Sequence, residues 1–325
     1  MVNGKNWDTE SLPKFDDLPS FHEYTGCAWG AAAKENIQTG RSVCLNWPVN
    51  FPEKPLFSRK APHIELIKRT PTATSQDDEI NINSQSGSQW DGLRHFGVTP
   101  HGVFYQNTPS TFFKMGKVEN SDPLKVDQEA IKYGIHNWAQ HGISGRAVFL
   151  DLYRYYTSPK SDQGAPSPLP YDPWTSHSIT VPELEACARA QGVTFKKADI
   201  LLIRIGFIKK YMESSQEEKD ALAGKEETFT GVEQSEEMKR FLWDNHFAAV
   251  ASDQPTFERW PPVEGKPHMH QTIIGLWGMP IGEMFDLEKL SEVCAETGRY
   301  TFFFTSWPLN VLGGCASPPN AAAYF

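Results

Sequence analysis

Cysteine is scarce and poorly placed for chemistry. The 325 residues hold five, Cys27, Cys44, Cys187, Cys294 and Cys315, and no two form a C-x-x-C pair. That spacing excludes a zinc ribbon and a thioredoxin-type redox site, and leaves buried free thiols in a reducing cytosol as the expectation. Basic charge is also in deficit: 31 Lys and Arg against 40 Asp and Glu give a net charge of −9. A general nucleic-acid binder needs a basic face, so that class is excluded. No run of roughly 18 apolar residues exists to span a membrane, and the start from Met1 to Asp8 lacks the apolar stretch of a secretory leader. The expectation is a cytoplasmic protein with no membrane partner. Several catalytic signatures are missing too: G-x-x-x-x-G-K-[ST], G-x-G-x-x-G after a strand, G-x-S-x-G and H-E-x-x-H. Their absence weighs against NTPase, nicotinamide-dependent, serine-hydrolase and zincin chemistry. What the chain has in quantity is aromatic surface, with 20 Phe, 10 Trp and 10 Tyr, enough for a buried core.

The first 80 residues carry Pro13, Pro19, Pro48, Pro52, Pro55, Pro62 and Pro71 and read as an irregular segment packed on a catalytic domain spanning 81–325. Within them Ser42 to Trp47 reads as a short strand. Gly145 to Leu152 and Asp199 to Gly206 are apolar, β-rich runs of strand length. Between them, Thr180-Val181-Pro182-Glu183 forms a capping box with proline in the first turn, and the helix it opens stops at Gly192. A second helix is expected from Asp286 as N-cap through Leu287, Leu290, Val293 and Cys294 to Gly298, followed by a strand from Tyr300 to Thr305. Ser158 to Pro173 reads as a surface loop and Glu213 to Glu237 as exposed helix and turn. Alternating strands and helices indicate an α/β domain.

Three segments hold candidate chemistry. In Asn83 to His95, read as extended chain, Gln85, Gly87, Gln89 and Asp91 share one face, with His95 a short turn later. A polar strand facing solvent has the same pattern. His270 and Glu283 are a residue pair suited to a divalent metal, although a surface histidine and a solvated glutamate look no different in sequence. Ala248 to Pro255 is a small-residue strand ending at Asp253.

Together these segments resemble the cyclase family that includes bacterial kynurenine formamidase and isatin hydrolase, and in particular its fungal branch. The resemblance spans nearly the whole chain: Gln85 to Phe96, Gly102 to Tyr105, Gly142 to Val148, Asp199 to Phe207, Ala249 to Asp253 with Glu258 to Pro261, His270 to Glu283, and Pro308 to Ala321. It implies a swivelling β/β/α-type fold in a single domain, a homodimer or higher homo-oligomer, and metal-dependent hydrolysis of amide or lactam bonds. The family motif H-x-G-T-H-x-D-x-P-x-H places Gln85 and Gln89 at two metal-binding histidines, Asp91 at the metal-binding aspartate and His95 at the base. Ser88 and Leu93 stand where the family has threonine and proline. His270 and Glu283 resemble the second ligand pair, spaced one residue wider than in bacterial members. After Trp29-Gly30 a loop and half a helix are shorter than the family pattern.

The resemblance therefore implies a metal site of Gln85, Gln89, Asp91, His270 and Glu283, with His95 and Asp91 catalytic. Trp90, Phe104 and Tyr105 could wall the pocket, although each reads more readily as a core aromatic than as a wall, and Arg94 could hold an anionic group. Carboxamide oxygens are weaker, harder donors than imidazole, so manganese or magnesium is favoured over zinc, with weak occupancy or none. Three functions stay open: a metal-assisted cyclase or hydrolase of a cyclic amide, lactone or related small carbonyl compound; a metal-independent cyclase or lyase of secondary metabolism; and a non-catalytic binding protein on the same fold.

Overall fold

Where the sequence is continuously apolar and β-branched, the chain forms strands buried on both faces. The computed structural model describes residues 33–117, 125–159 and 165–325. Nine strands make one sheet: β1 (Ser42–Cys44), β2 (Gln89–Asp91), β3 (Ile143–Asp151), β4 (Ile200–Arg204), β5 (Ala249–Ser252), β6 (Ile281–Glu283), β7 (Thr301–Ser306), β8 (Ala316–Ser317) and β9 (Ala321–Tyr324). Their spatial order is β1-β9-β7-β3-β4-β5-β6-β2-β8. The four central strands β3 to β6 run parallel. Antiparallel strands complete both sides, β7, β9 and β1 beyond β3, and β2 and β8 beyond β6.

Parallel strands need cover on both faces, and their residues divide accordingly. Val148, Leu150, Leu201, Ile203, Val250 and Ile281 face one core, closed by Leu184 and Cys187 of helix Val181–Ala190 and by Met238 and Leu242 of helix Glu236–Asp244. Ala147, Phe149, Ile200, Leu202, Ala249 and Ala251 face the other, closed by Leu290, Val293 and Cys294 of helix Glu288–Thr297. The described residues thus form a single α/β domain with a mixed sheet.

Local signals account for most boundaries. The Thr180 capping box is present, with the Thr180 amide donating to Glu183 Oε2 at 2.8 Å. Asp286 accepts from the Glu288 amide at 3.1 Å, yet the helix starts one residue later than Asp286 as N-cap would set it, at Glu288 with Leu287 at the cap. The first 80 residues hold more structure than their prolines imply. Beyond β1, His63–Ile67 and Asp77–Asn81 pair as an antiparallel hairpin. Its apolar residues Leu66 and Ile80 stay largely exposed, so no inside-outside alternation marks it. Cys187 and Cys294 are buried thiols, whereas Cys44 and Cys315 are exposed, contrary to expectation. Cys27 and the Trp29-Gly30 pair lie outside the described residues, as does part of the expected 158–173 loop. Among the described residues, no helix is long and apolar enough to cross a membrane.

One buried ion cluster ties β3 and β4 to the helix beyond. Arg204 donates to Asp151 Oδ1 at 2.9 Å and grips both oxygens of Glu288 at 2.7 Å each. Asp151 is inaccessible to solvent and Arg204 nearly so. Replacing Arg204 by Met would leave the buried Asp151 only the Arg154 amide at 3.0 Å and the Arg154 guanidinium at 3.6 Å, and removing one partner of a buried pair costs about 3–5 kcal/mol. Urea unfolding of Arg204→Met is expected to show a loss of that order; a change below about 1 kcal/mol, the range of an exposed pair, would mean the cluster contributes no more than surface charges do.

Candidate active site

The site lies where β2 meets β6. Glu283 stands directly opposite Gln89 in their register, and Ile281 opposite Asp91. Residues two apart on a strand share a face, so Gln89 and Asp91 point together toward the side of the sheet that holds Ile281. The residue between them, Trp90, points the other way. It is fully buried, donates through Nε1 to Ser306 Oγ at 2.8 Å and meets Phe285 edge-on. Of the two readings open to it, pocket wall or core, Trp90 takes the core, on the opposite side of the sheet.

Only Gln89 to Asp91 of the 83–95 segment is strand; residues 84–88 turn. The turn is pinned through Ser88, whose hydroxyl accepts from the Trp47 amide at 2.8 Å and donates to the Met284 carbonyl. At Gly87 the chain passes so close to the Phe51 carbonyl that a Cβ would lie 2.6 Å from its oxygen, which accounts for the glycine. Gln85 therefore reaches the site from the turn and not from a shared strand face. Its amide nitrogen donates to Asp91 Oδ1 at 2.5 Å, and its oxygen accepts from Gln89 Nε2 at 2.8 Å. Gln89 Nε2 also donates to Glu283 Oε2 at 2.7 Å.

His270 comes from the far side, just before a π-helical turn at Gln271–Leu276, a geometry that recurs at functional sites. Its Nε2 lies 3.0 Å from Glu283 Oε1 and 3.5 Å from Asp91 Oδ2. Asp91, His270 and Glu283 each offer a ligand atom within 4.8 Å of the others, and all three residues are buried. Some 180 residues of chain separate Asp91 from His270, so the fold itself brings them together.

Glu258 completes the arrangement, a residue that the sequence reading left unassigned. It is fully buried and accepts from His270 Nδ1 at 2.7 Å, from the amides of Met269 at 2.8 Å and His270 at 3.0 Å, and from Gln234 Nε2 at 2.6 Å. The carboxylate thus caps the π-helical turn and fixes the imidazole, with Nδ1–H directed at Glu258 and Nε2 at Asp91 and Glu283. The signal available in sequence was its place in the Glu258 to Pro261 match, but nothing there pairs it with a histidine twelve residues on.

Burial and neighbouring charge act differently on these groups. Burial opposes ionisation of Asp91, but His95, His270 and the Gln85 amide together outweigh it and hold its carboxyl below the ordinary range. Glu258 is likewise held low against burial, by His270 and its amide donors. Glu283 is pushed up by burial and by the charge of Asp91. Burial disfavours the His270 cation, yet its three carboxylate neighbours raise it well above the usual imidazole value. Two oxygens in this otherwise satisfied cluster, Asp91 Oδ2 and Gln89 Oε1, are buried with no hydrogen-bond donor. Buried acceptors are seldom left so. Both suit a cation, as do His270 Nε2 and Glu283 Oε1, so the residues present fit a divalent ion.

His95 follows on a turn closed by its amide to the Gly92 carbonyl at 2.9 Å. Its Nε2 lies 3.7 Å from Asp91 Oδ2, and its side chain keeps 21% of its surface exposed, against 7% for His270. Leu93, at the family's proline, is half-buried against the neighbouring core. Arg94 is committed elsewhere: its Nη1 donates to the Gly313 and Ala130 carbonyls at 2.6 and 3.2 Å, and the guanidinium lies over Phe113. Phe104 packs on Phe113 and Tyr105 on Tyr133. Among the described residues, no ring contact joins either to His270 of the cluster. A run of ring contacts reaches the cluster from other residues: Phe57 meets Trp260, Trp260 meets His268, and His268 meets Phe96, whose ring lies 5.3 Å from that of His270.

Comparison with known proteins agrees with this architecture. The cyclase family model matches residues 43–259, two thirds of the chain. A solved protein described as a novel cyclase is 25% identical, covering 93% of this chain and 94% of its own, with a TM-score of 0.73. Isatin hydrolase A from Ralstonia solanacearum is similar in fold, with 15% identity, 90% and 94% coverage and a TM-score of 0.54. So is an isatin hydrolase bound to the product analogue thioisatinate, with 12% identity, 90% and 95% coverage and a TM-score of 0.55. No curated protein matches the sequence. A family model covering most of the chain, on a fold that carries the Asp91, His270 and Glu283 cluster, establishes that this chain belongs to the cyclase family.

Proposed function

We propose that the chain is a metal-assisted enzyme that opens, or in reverse closes, the ring of a cyclic amide, lactone or related small carbonyl compound. The observation that carries this reading is the convergence of Asp91, His270 and Glu283, whose ligand atoms lie within 4.8 Å of one another, with Asp91 Oδ2 buried and lacking a donor. In it Asp91, Gln89, His270 and Glu283 hold the ion, with three oxygen donors to one nitrogen. That donor set favours manganese or magnesium over zinc. Gln85 moves from ligand to support, since both of its amide atoms are engaged and it orients Asp91 through Oδ1. Glu258 holds Nδ1–H, so that Nε2 of His270 would bind the ion on giving up its proton.

A divalent ion held there would polarise a carbonyl and acidify water. His95, beside Asp91 and open to the pocket, then takes the proton from the attacking water and passes it to the leaving nitrogen or oxygen. The half-buried rings of Phe57, Phe96, Trp260 and His268 exclude water from one side and offer flat surface to a ring.

Turnover of a panel of lactams, lactones and cyclic imides, before and after chelation, tests this reading. Activity is expected with manganese restored and not without it. The pH profile is expected to reflect His95. Burial lowers its pKa, with His270 and Arg59 adding to the effect and Asp91 only partly opposing it, so the ring is neutral below its ordinary 6.5. A base works deprotonated, so kcat/KM should be flat at pH 7 and fall only below pH 6.5. An acid limb above pH 7 would remove His95 as the base.

A further inference from the structure

Ring opening by water makes an acid. The water oxygen joins the carbonyl carbon, the C–N or C–O bond breaks, one water proton goes to the leaving atom, and the acid's proton goes to solvent as it ionises. The product carboxylate forms beside Asp91 and Glu283 and needs a cation of its own. Arg94 does not supply it: its guanidinium lies over Phe113 with Nη1 turned to the Gly313 and Ala130 carbonyls, and none of the cluster's carboxylates is among the charges that act on it.

Arg59 is placed to do so. It sits on the segment whose Phe51 carbonyl abuts Gly87, so this stretch borders the turn that carries Gln85. Its Nη1 donates to the Gln85 carbonyl at 2.9 Å, and the Gln85 side chain bonds Asp91. Its guanidinium carbon lies 4.8 Å from the centre of the Phe57 ring. That ring is fixed by edge-on contacts with Phe229 and Trp260, and the Phe57 amide is tied to Glu227 Oε1 at 2.9 Å. Arg59 is half-buried, and among the described residues its Nε and Nη2 donate no hydrogen bond. Asp91, Glu283 and Glu227 all lie close enough for their charge to act on it, and its own charge acts on His95. The result is an anchored guanidinium at the site with an unused Nε/Nη2 edge, the edge that grips a carboxylate through two parallel bonds.

We propose that Arg59 binds the carboxylate of the ring-opened acid, as product in hydrolysis and as substrate in ring closure. This rests on the ring-opening function above. It assigns to the N-terminal segment the anion recognition that the sequence had pointed to at Arg94.

The test uses the full chain loaded with manganese and two probes with the same ring, benzoate and benzamide, titrated by calorimetry. Wild-type protein is expected to bind benzoate about tenfold or more tightly than benzamide, the size of one charge-assisted hydrogen bond. Arg59→Met should lose that preference while its manganese affinity stays within about twofold. Arg59→Gln keeps a donor for the Gln85 carbonyl and serves if the methionine variant does not fold. Benzoate binding in these variants equal to wild type, or no benzoate binding by wild type, overturns the proposal. Should the chain take up no manganese, the proposed function fails on that measurement, and the same comparison on ion-free protein still decides for or against Arg59.

Discussion

Replacing His95 by Ala is expected to lower kcat by about 10²–10⁴-fold, the contribution of a positioned general base, with the melting temperature unchanged. The structure gives both halves of this expectation. His95 Nε2 faces the Asp91 oxygen that lacks a donor, 3.7 Å away, and the imidazole is open enough to reach substrate. The fold takes little from the same side chain. Among the described residues it makes no side-chain hydrogen bond, and its ring contacts with Phe96 and His270 are loose, at 6.1 and 6.4 Å between centroids. Wild-type rates in a folded His95→Ala variant would remove it from the mechanism. A lowered melting temperature with proportionate loss of activity would make it a packing residue.

The second large effect is expected at Glu258, which touches no proposed ligand position except through His270. Glu258→Ala removes the acceptor for His270 Nδ1, for two backbone amides and for Gln234. Loss of an outer partner of this kind typically costs about 10–100-fold in metal affinity. The stranded amides add a stability loss of about 1–3 kcal/mol for each buried donor left unpaired. Glu258→Gln separates the two terms. It retains an oxygen for the imidazole but loses the negative charge, so metal affinity should fall while stability falls less. Unchanged metal affinity in both variants would show that Glu258 serves the π-helical turn alone.

Why the sequence revealed some of this and not the rest follows from the range of each interaction. Strands β3, β4 and β5 are legible because parallel strands covered on both faces read as unbroken apolar runs. Helix Val181–Ala190 is legible because its cap lies within three residues of itself. The hairpin His63–Ile67 with Asp77–Asn81 leaves no such trace, since exposure on both faces removes the alternation that marks a strand. At the site, Gln85, Gln89, Asp91, His95, His270 and Glu283 were found through the family motif. Their division of labour was not, because a Gln side chain is ligand or support according to where its two amide atoms point. Trp90, Phe104, Tyr105 and Arg94 are pocket candidates under the family resemblance, with core packing the stronger reading for the three aromatics. Alternation on β2 sends Trp90 to the opposite face, and the turn after β2 carries Arg94 to the Gly313 carbonyl. The residues that replace them, Phe57, Arg59, Trp260 and His268, come from segments far from Asp91 in the chain.

The central claim is that the Asp91, His270 and Glu283 cluster holds a divalent ion although glutamine stands at both family histidines. Titration of chelator-stripped protein with manganese and with zinc, read by bound ion per chain and by melting temperature, tests it most directly. One saturable ion per chain is expected, readily removed by chelator, with manganese raising the melting temperature at saturation and with uptake lost in His270→Ala. Failure of both metals to bind, with an unmoved melting temperature, would contradict the account and leave His95 and Asp91 to act without an ion.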